Sequence, residues 1–308
     1  MLTPSQNADC SMILVMGVTG SGKSYFINKL AKGAVLEGHG VRSGIGRREV
    51  ALVDTPGFDD TKRSDAEILE QIVEFLCAQY ELGIPLKGII YMHRITDNKM
   101  SGSAQRYFEM FMRLCGERNL ENVVLLTTMW SELRDQGKGL ERERELRRDF
   151  WSTMEKRGST IRQFDGSRPM AEAFVCRLMR KQNIVLDIQE ELVDQGKRLD
   201  ETRAGQLMVP QIDSEIIESE QKLQELNRRG NYGERRNSSE VKALERRRGS
   251  LLEQRQRLQA KSGAKVAEKI EGQRKRDRMM SKLSIFGTIL GLAVTVTVNA
   301  ILPLAGVI

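Results

Sequence analysis

The segment GVTGSGKS at residues 17–24 constrains the fold of this chain more than any other feature. It matches the pattern G-x-x-x-x-G-K-S/T, follows the apolar run MILVM, and precedes the helix-like run SYFINKLA. Glycines in this pattern let successive backbone N–H groups turn inward around a phosphate, and the next helix adds its dipole. The sequence therefore predicts a strand, a phosphate-binding loop and a helix. A plain glycine turn is the alternative, which the Lys-Ser pair in register disfavours.

The polar side chains of this loop have expected roles. Lys23 reaches the β- and γ-phosphate oxygens, which also makes it a candidate catalytic residue, and the Ser24 hydroxyl binds Mg²⁺. The expected nucleotide-binding residues of the loop and its first helical turn are Gly17, Thr19, Gly20, Ser21, Gly22, Lys23, Ser24 and Tyr25.

A second motif, EVALVDTPGF, lies at residues 49–58. Its strand-like part leads into Asp54, which is expected to hold Mg²⁺ through water, and the Gly57 N–H is expected to sense the γ-phosphate. The pattern D-x-x-G is common, but at the end of the next apolar strand after a phosphate loop it is informative. Ser24 and Asp54 are thus the predicted metal ligands, and Gly57 joins the candidate catalytic residues.

Residues 10–182 alternate between strand-like and helix-like runs. The apolar runs are MILVMGV, EVALVDT, KGIIYMH and NVVLLTT, and between them SDAEILEQIVEFLCAQYE and SAQRYFEMFMRLCGE have apolar residues at helical spacing. Such alternation predicts an α/β domain with a mostly parallel sheet and helices on both faces. Residues 1–9 are predicted to be a disordered N-terminus.

Residues 183–282 are predicted to be helical and coiled-coil-like. Apolar residues recur three and four apart, Pro210 is expected to end the first helical segment, and arginines interrupt the later seam. Three arrangements stay open: a helical hairpin that folds back, a segment that pairs with a partner, and an amphipathic helix packed on the α/β domain.

The last segment, residues 284–308, contains no charged residue and is long enough to span a bilayer as a hydrophobic helix. It follows the basic run QRKRDRMMSK, so a single C-terminal membrane anchor with the bulk of the chain in the cytosol is predicted. A buried or interfacial helix is the alternative. The N-terminus has no signal-peptide pattern, and the four cysteines have no CxxC spacing, as expected of reduced cytosolic thiols.

The net charge of +7 is unevenly distributed. Residues 228–282 contain 18 Lys/Arg and 7 Asp/Glu, a net of +11, which leaves −4 for the rest of the chain. This basic segment suits either anionic lipid headgroups or a solvated helix face. Nucleic acid is not an expected partner, because aromatic residues barely interleave with these charges.

Four segments together carry a family resemblance: MGVTGSGKSYFIN, LVDTPGFDDT, IIYMHRITD and VVLLTTMW. They resemble the septin-like branch of the TRAFAC-class P-loop GTPases, which includes septins, chloroplast import receptors and immunity-associated (GIMAP-type) GTPases. They look most like a fungal group of G-domain proteins. The resemblance spans about residues 10–180. It implies a three-layer P-loop NTPase fold, binding of GTP and GDP with Mg²⁺, slow hydrolysis, and dimerisation across the nucleotide face.

The chain departs from this family in its switch and base motifs. No threonine lies between Thr19 and Thr55, where a switch threonine closes over Mg²⁺, and in the expected switch segment GHGVRSGIGRREV Ser43 is the only hydroxyl residue. Where the family has T-K-x-D, this chain has TTMW, so Thr128 and Trp130 are the candidate base-binding residues. An indole cannot accept the hydrogen bonds that guanine offers an aspartate.

Catalytic groups are sparse in the sequence. Phe58 stands where related enzymes place a water-orienting glutamine. His93 ends a predicted strand and is a candidate catalytic residue across a dimer interface, with a strand-end structural histidine as the favoured alternative. The leading hypothesis is a membrane-anchored GTP-binding protein with slow hydrolysis. The rival is a degenerate G-domain scaffold without turnover, which recruits partners through its helical region.

Overall fold

The computed structural model describes residues 11–31, 50–58, 63–98, 100–230, 238–276, 282 and 285–287. Its centre is a five-stranded sheet in the order β2-β1-β3-β4-β5, and every strand pairing among the described residues is parallel. The strands are β1 (Ser11–Gly17), β2 (Val50–Asp54), β3 (Leu86–Arg94), β4 (Val123–Thr128) and β5 (Thr160–Gln163). The predicted α/β class with a mostly parallel sheet is confirmed.

Helices cover both faces of this sheet. They are α1 (Lys23–Ala31), α2 (Asp65–Glu81), α3 (Gly102–Cys115), α4 (Gln136–Glu145), α5 (Ser152–Lys156) and α6 (Arg168–Met179). Alternate residues of each strand point to opposite faces, so Met12 and Leu14 join a core with α2 and α3, whereas Ile13 and Val15 join a second core with α1 and α6. The result is three layers with the sheet in the middle.

Serine side chains begin three of these helices. Ser64, Ser101 and Ser167 each accept a hydrogen bond from the backbone N–H three residues later, which satisfies one of the unpaired donors of the first turn. These caps determine the residues at which α2, α3 and α6 begin after the preceding loops.

The helical region folds back on the sheet domain. After short turns that include α7 (Asp187–Gln189), helix α8 (Val209–Gly230) pairs with α9 (Ser238–Leu258), and α10 (Ser262–Arg276) packs on α2. Arg248 contacts Glu220 and Arg255 contacts Asp213, so α8 and α9 run antiparallel. Among the described residues, α8 and α9 form the folded-back hairpin, and α10 packs on the α/β domain as in the third arrangement.

The expectation that Pro210 ends a helix is wrong. It lies in the first turn of α8, where a proline fits because the first N–H groups of a helix have no intrahelical acceptor. The preceding residues form short helical turns, and Leu186, Ile188 and Leu199 are buried in the core beside α2 and α3.

In the part of the chain that the structure describes, no helix is both long and apolar enough to cross a bilayer. Most of the predicted anchor, residues 288–308, lies outside the described residues, as do residues 1–9, Ser43 and the two acidic residues after Phe58. The start of the predicted anchor is described: Phe286 is buried, with its ring centroid 5.0 Å from that of Phe75 on α2.

Candidate nucleotide-binding site

The loop between β1 and α1 has the geometry of a phosphate-binding loop. It leaves the sheet at the carboxyl end of β1, which lies between β2 and β3, at the edge where open parallel sheets bind ligands. Gly17 has φ +141°, and a Cβ there would lie 2.3 Å from the Met92 carbonyl oxygen, so only glycine fits. The backbone therefore turns close against β3 before it enters α1.

Lys23 places its ammonium group inside this loop. Its Nζ donates to the carbonyl oxygens of Gly17 at 3.1 Å and Val18 at 3.0 Å, and the residue is 7% exposed. Burial lowers the pKa of Lys23 to about 8, and the nearby Asp54 carboxylate partly opposes that shift. A buried cation beside inward-turned backbone is well suited to hold phosphate oxygens.

Ser24 and Asp54 form a polar pair beside the loop. The Ser24 hydroxyl donates to Asp54 Oδ2 at 2.5 Å, and Asp54 Oδ1 is buried without a hydrogen-bond partner among the described residues. Mg²⁺ prefers oxygen ligands and is usually held by one or two protein groups together with substrate phosphates. These two side chains therefore fit a magnesium ion, although the described residues contain no cluster of three or more His, Cys, Asp or Glu that would bind a metal alone.

The segment after β2 packs tightly on the phosphate loop. The Thr19 N–H donates to the Phe58 carbonyl oxygen at 2.9 Å, and a Cβ at Gly57 would lie 2.6 to 2.8 Å from Thr19 atoms. Phe58 is buried and stacks on Tyr107 with ring centroids 5.1 Å apart. Gly57 is thus required for this close approach, and Phe58 is a core residue that presents no polar group to a water.

A cavity of about 280 Å³ opens beside the phosphate loop. It lies at the carboxyl ends of β4 and β5 and shares Gly22 with the loop. Its lining residues are Gly22, Tyr25, Met92, Thr128, Met129, Trp130, Ser131, Glu132, Phe164, Asp165 and Gly166. A cleft at the end of a parallel sheet that combines apolar walls with polar groups is typical of a cofactor site, here one of suitable size for a base.

Thr128 and Trp130 both line this cavity, but their polar groups bond to protein. Thr128 Oγ1 donates to the Ser21 carbonyl oxygen at 2.9 Å, which braces the phosphate loop. The Trp130 indole N–H donates to the carbonyl and hydroxyl oxygens of Thr127 at 3.2 and 3.0 Å. The indole therefore contributes an apolar wall.

His93 has a buried side chain near the end of β3. Its ring is 3% exposed and lies edge-on to Trp151, with centroids 6.1 Å apart, and burial lowers its pKa. A ring so deeply buried would have to move before it could meet a partner subunit.

Two groups near the site were not anticipated from the sequence. Arg94, at the end of β3, lies against the phosphate loop: a Cβ at Gly20 would be 3.0 Å from its Nη1. Asp165 and Gly166 enter the base cavity from the loop after β5. The position of Arg94 at the end of an apolar run could have indicated that it lies near the site. Asp165 follows β5, whose sequence has no clear strand pattern, so no such indication was present for it.

Comparison with known proteins gives remote structural likenesses. No family model matches the chain, and no curated protein matches it. Toc33 from Arabidopsis thaliana in complex with Mg²⁺ and GMPPNP is 15% identical over 58% of this chain and 88% of Toc33, with a TM-score of 0.44. Translation elongation factor SelB from Methanococcus maripaludis is 11% identical over 57% of this chain and 36% of SelB, with a TM-score of 0.36.

A third likeness is to a probable GTP-binding protein, EngB, at 15% identity over 55% of this chain and 99% of EngB, with a TM-score of 0.33. These three neighbours do not establish the septin-like subgroup. Since all three scores are below 0.5, the case for a function rests on the residues of the site.

Proposed function

We propose that this chain binds GTP and GDP together with Mg²⁺ and hydrolyses GTP slowly. The observation that carries the proposal is the phosphate loop after β1, with the buried Lys23 ammonium inside it and the Ser24–Asp54 pair beside it. Backbone N–H groups, a lysine and a helix N-terminus are the groups that cradle nucleotide phosphates in P-loop proteins.

Each residue has a distinct part in this proposal. Lys23 balances the charge of the β- and γ-phosphates, Ser24 and Asp54 hold Mg²⁺, and the Gly57 backbone N–H faces the γ-phosphate. Held by Ser24 and Asp54, Mg²⁺ would supply positive charge that offsets the negative charge of the phosphates. Tyr25, Thr128 and Trp130 form walls of the base cavity.

Slow hydrolysis follows from the sparse supply of groups that orient water. Phe58 is apolar and buried, and the His93 side chain is buried. The same facts favour the second candidate function, a nucleotide-binding scaffold without turnover that recruits partners through its helical region. Dimerisation across the nucleotide face, which the family resemblance implies, belongs to the proposal as the source of the missing catalytic groups.

Calorimetry on the Lys23→Ala variant tests nucleotide binding. We expect at least a tenfold loss of affinity for both GTP and GDP, because hydrogen bonds from a charged group contribute about 1.5 to 3 kcal/mol. Lys156→Ala is the matched control, since Lys156 is exposed on α5. Unchanged affinity in a folded Lys23→Ala protein would refute the assignment of the phosphate loop.

A measurement of GTP hydrolysis distinguishes a slow GTPase from a nucleotide-binding scaffold without turnover. Phosphate release from GTP should be slow and should depend on Mg²⁺. If dimerisation supplies catalytic groups, the rate per molecule should rise with protein concentration. Tight nucleotide binding with no phosphate release at any concentration would select the scaffold.

Membrane attachment through residues 284–308 is a further part of the proposal, supported by the charge-free composition of that segment. The bulk of the chain would then face the cytosol. An Ala293→Arg, Val296→Arg double variant should move the protein to the soluble fraction, because each charge near the bilayer centre costs at least about 2.5 kcal/mol on insertion scales. Carbonate extraction of the unaltered protein from membranes would contradict an anchor that spans the bilayer.

A further inference from the structure

The base cavity contains two carboxylates at positions where the family pattern does not require them. Glu132 lies in the turn after β4, and Asp165 lies in the loop after β5. Trp130 occupies the place of the usual aspartate and offers no acceptor, since its indole N–H already bonds to Thr127. Any carboxylate that reads the base must therefore come from another residue of the cavity.

The chemistry of guanine defines what that residue must do. The N1–H and the 2-amino group of guanine are adjacent donors, and an ionised carboxylate is an acceptor-only group with two oxygens. Adenine instead presents an acceptor at N1, which a carboxylate repels. A site that hydrogen-bonds a substrate donor rejects an analogue that lacks it by a large ratio.

The backbone fixes Asp165 more firmly than its exposed position suggests. The Phe164 N–H donates to the Thr127 carbonyl oxygen at 2.8 Å, and the Phe164 ring meets Phe26 of α1 edge to face at 5.1 Å. The next two residues are Asp165 and Gly166, so the carboxylate is attached to a segment that is tied to both β4 and the first helix.

The Asp165 side chain is itself held in place. Its Oδ1 accepts the Ser167 N–H at 2.7 Å, at the N-cap of α6. Hydrogen bonds from Ser167 lower the pKa of Asp165, so the carboxylate is ionised at neutral pH. Glu132, by contrast, has an exposed side chain for which the described residues provide no hydrogen bond.

The aromatic groups of the cavity suit a flat base. Tyr25 is 51% exposed, and its hydroxyl lies 3.4 Å from the Gly166 carbonyl oxygen, beside Asp165. Gly166 has φ +82°, and a Cβ there would lie 3.2 Å from the Tyr25 hydroxyl oxygen, so glycine keeps this side of the cavity open. Tyr25 and Trp130 provide aromatic walls near the carboxylate.

We propose that Asp165 is the guanine-reading residue of this chain, and that its carboxylate accepts hydrogen bonds from the N1–H and 2-amino group of the base. The proposal rests on the nucleotide-binding function proposed above. It assigns to the loop after β5 the role that the family assigns to an aspartate after β4.

An exchange of the carboxylate for an amide tests this assignment. In Asp165→Asn the side-chain oxygen still accepts the Ser167 N–H, while the new NH₂ group is a donor. Xanthine has a carbonyl group at C2, where guanine has its amino group. We expect Asp165→Asn to lose about tenfold or more in GTP affinity and to gain affinity for xanthosine triphosphate, measured by competition binding.

Glu132→Gln is the matched control in the same cavity and should change both affinities less than about twofold. A gain of xanthosine triphosphate binding cannot result from misfolding, so it separates base reading from a structural role of Asp165. Unchanged GTP and xanthosine triphosphate affinities in Asp165→Asn, or a reversal of preference in Glu132→Gln, would overturn the assignment.

The unaltered protein distinguishes the two proposals. If it binds GTP and ATP equally well, the guanine-reading role is wrong while nucleotide binding stands. If it binds neither, the proposed function fails and the assignment of Asp165 fails with it.

Discussion

The sheet domain and the helical arm, defined as α8, α9 and α10, are held together by different forces. All seven residues of β1 are buried, and the strand residues pack against apolar side chains from helices on both faces. In the arm, Arg247 pairs with Glu215, Arg248 with Glu220 and Arg255 with Asp213, at distances of 2.7 to 3.1 Å. Volume and shape therefore specify the sheet domain, whereas the pattern of charge largely specifies the arm.

The attachment of the arm to the sheet domain combines ion pairs with buried apolar residues, among them Leu258, Val266 and Ile270. Glu70 and Glu74 on α2 meet three cations: Arg257 lies 2.9 Å from Glu70, Lys265 lies 2.6 Å from Glu74, and Lys269 lies 3.5 Å from Glu74. These hydrogen bonds raise the pKa values of Arg257 and Lys265. Part of the basic charge of residues 228–282, a candidate for contact with lipid headgroups, is thus paired with carboxylates of the same chain.

The largest effect is expected in the sheet domain. Leu125 in β4 is fully buried, and Leu125→Ala should lower the free energy of unfolding by about 2 to 5 kcal/mol, because it removes apolar contacts and leaves a cavity. Leu252→Ala in α9 is the control, since that side chain is 42% exposed and its loss should cost about 0.5 kcal/mol or less. Urea denaturation measures both. Equal losses of unfolding free energy in the two variants would contradict the view that apolar packing matters more in the sheet domain than in the arm.

A smaller effect is expected where the arm meets α2. Glu70→Lys with Glu74→Lys places like charges opposite Arg257, Lys265 and Lys269, so α10 should lose amide protection in hydrogen exchange while β1 keeps it. The cost in stability should be about 1 to 2 kcal/mol, since partly exposed pairs contribute less than about 1 kcal/mol each.

The same charge change on α4 is the control for this experiment. Glu141→Lys with Glu145→Lys has the same spacing, and both residues are exposed. When Arg257, Lys265 and Lys269 are also replaced by glutamate in the protein with Glu70→Lys and Glu74→Lys, the amide protection of α10 should return. Protection that is lost equally in the α4 variant would mean that net charge, and not the specific pairs, governs the arm.

The contrast between the two regions also explains what could be predicted from the sequence. Strands β1 to β4 coincide with four apolar runs because a strand buried on both faces needs nearly every residue to be apolar. Strand β5 was missed because TIRQ has two buried and two exposed residues, with no periodicity over so short a run. The arm left three arrangements open because a charged side chain does not reveal its partner in the local sequence.

The candidate site likewise has one part that could be predicted from the sequence and one part that could not. The phosphate loop depends on residues close together in sequence, so the spacing of Gly17, Gly22 and Lys23 is enough to recognise it. The base cavity depends on topology, which brings the loop after β5 next to Tyr25 of α1. Asp165 therefore had no local signal, and Trp130 was visible only as a departure from the expected motif.

The smallest effect is expected for a single exposed pair within the arm. Arg248 and Glu220 lie 2.7 Å apart, and their side chains are 42% and 41% exposed. Water and salt screen such a pair, and the two long side chains lose rotamer freedom when they meet. A double-mutant cycle with Arg248→Ala and Glu220→Ala should therefore give a coupling energy of about 0.5 kcal/mol or less, which falls further in high salt.

The Arg255–Asp200 pair provides the comparison that sharpens this last prediction. Its atoms lie 2.8 Å apart, but the Asp200 side chain is 4% exposed, and Arg255 also contacts Asp213. Arg198 also holds the Asp200 carboxylate, at 3.0 and 3.2 Å, so removal of Arg255 takes away one of its two cationic partners. Because the aspartate is so deeply buried, Arg255→Ala should still cost more than Arg248→Ala. Equal costs in urea denaturation would mean that burial does not determine how much each of these two ion pairs stabilises the protein.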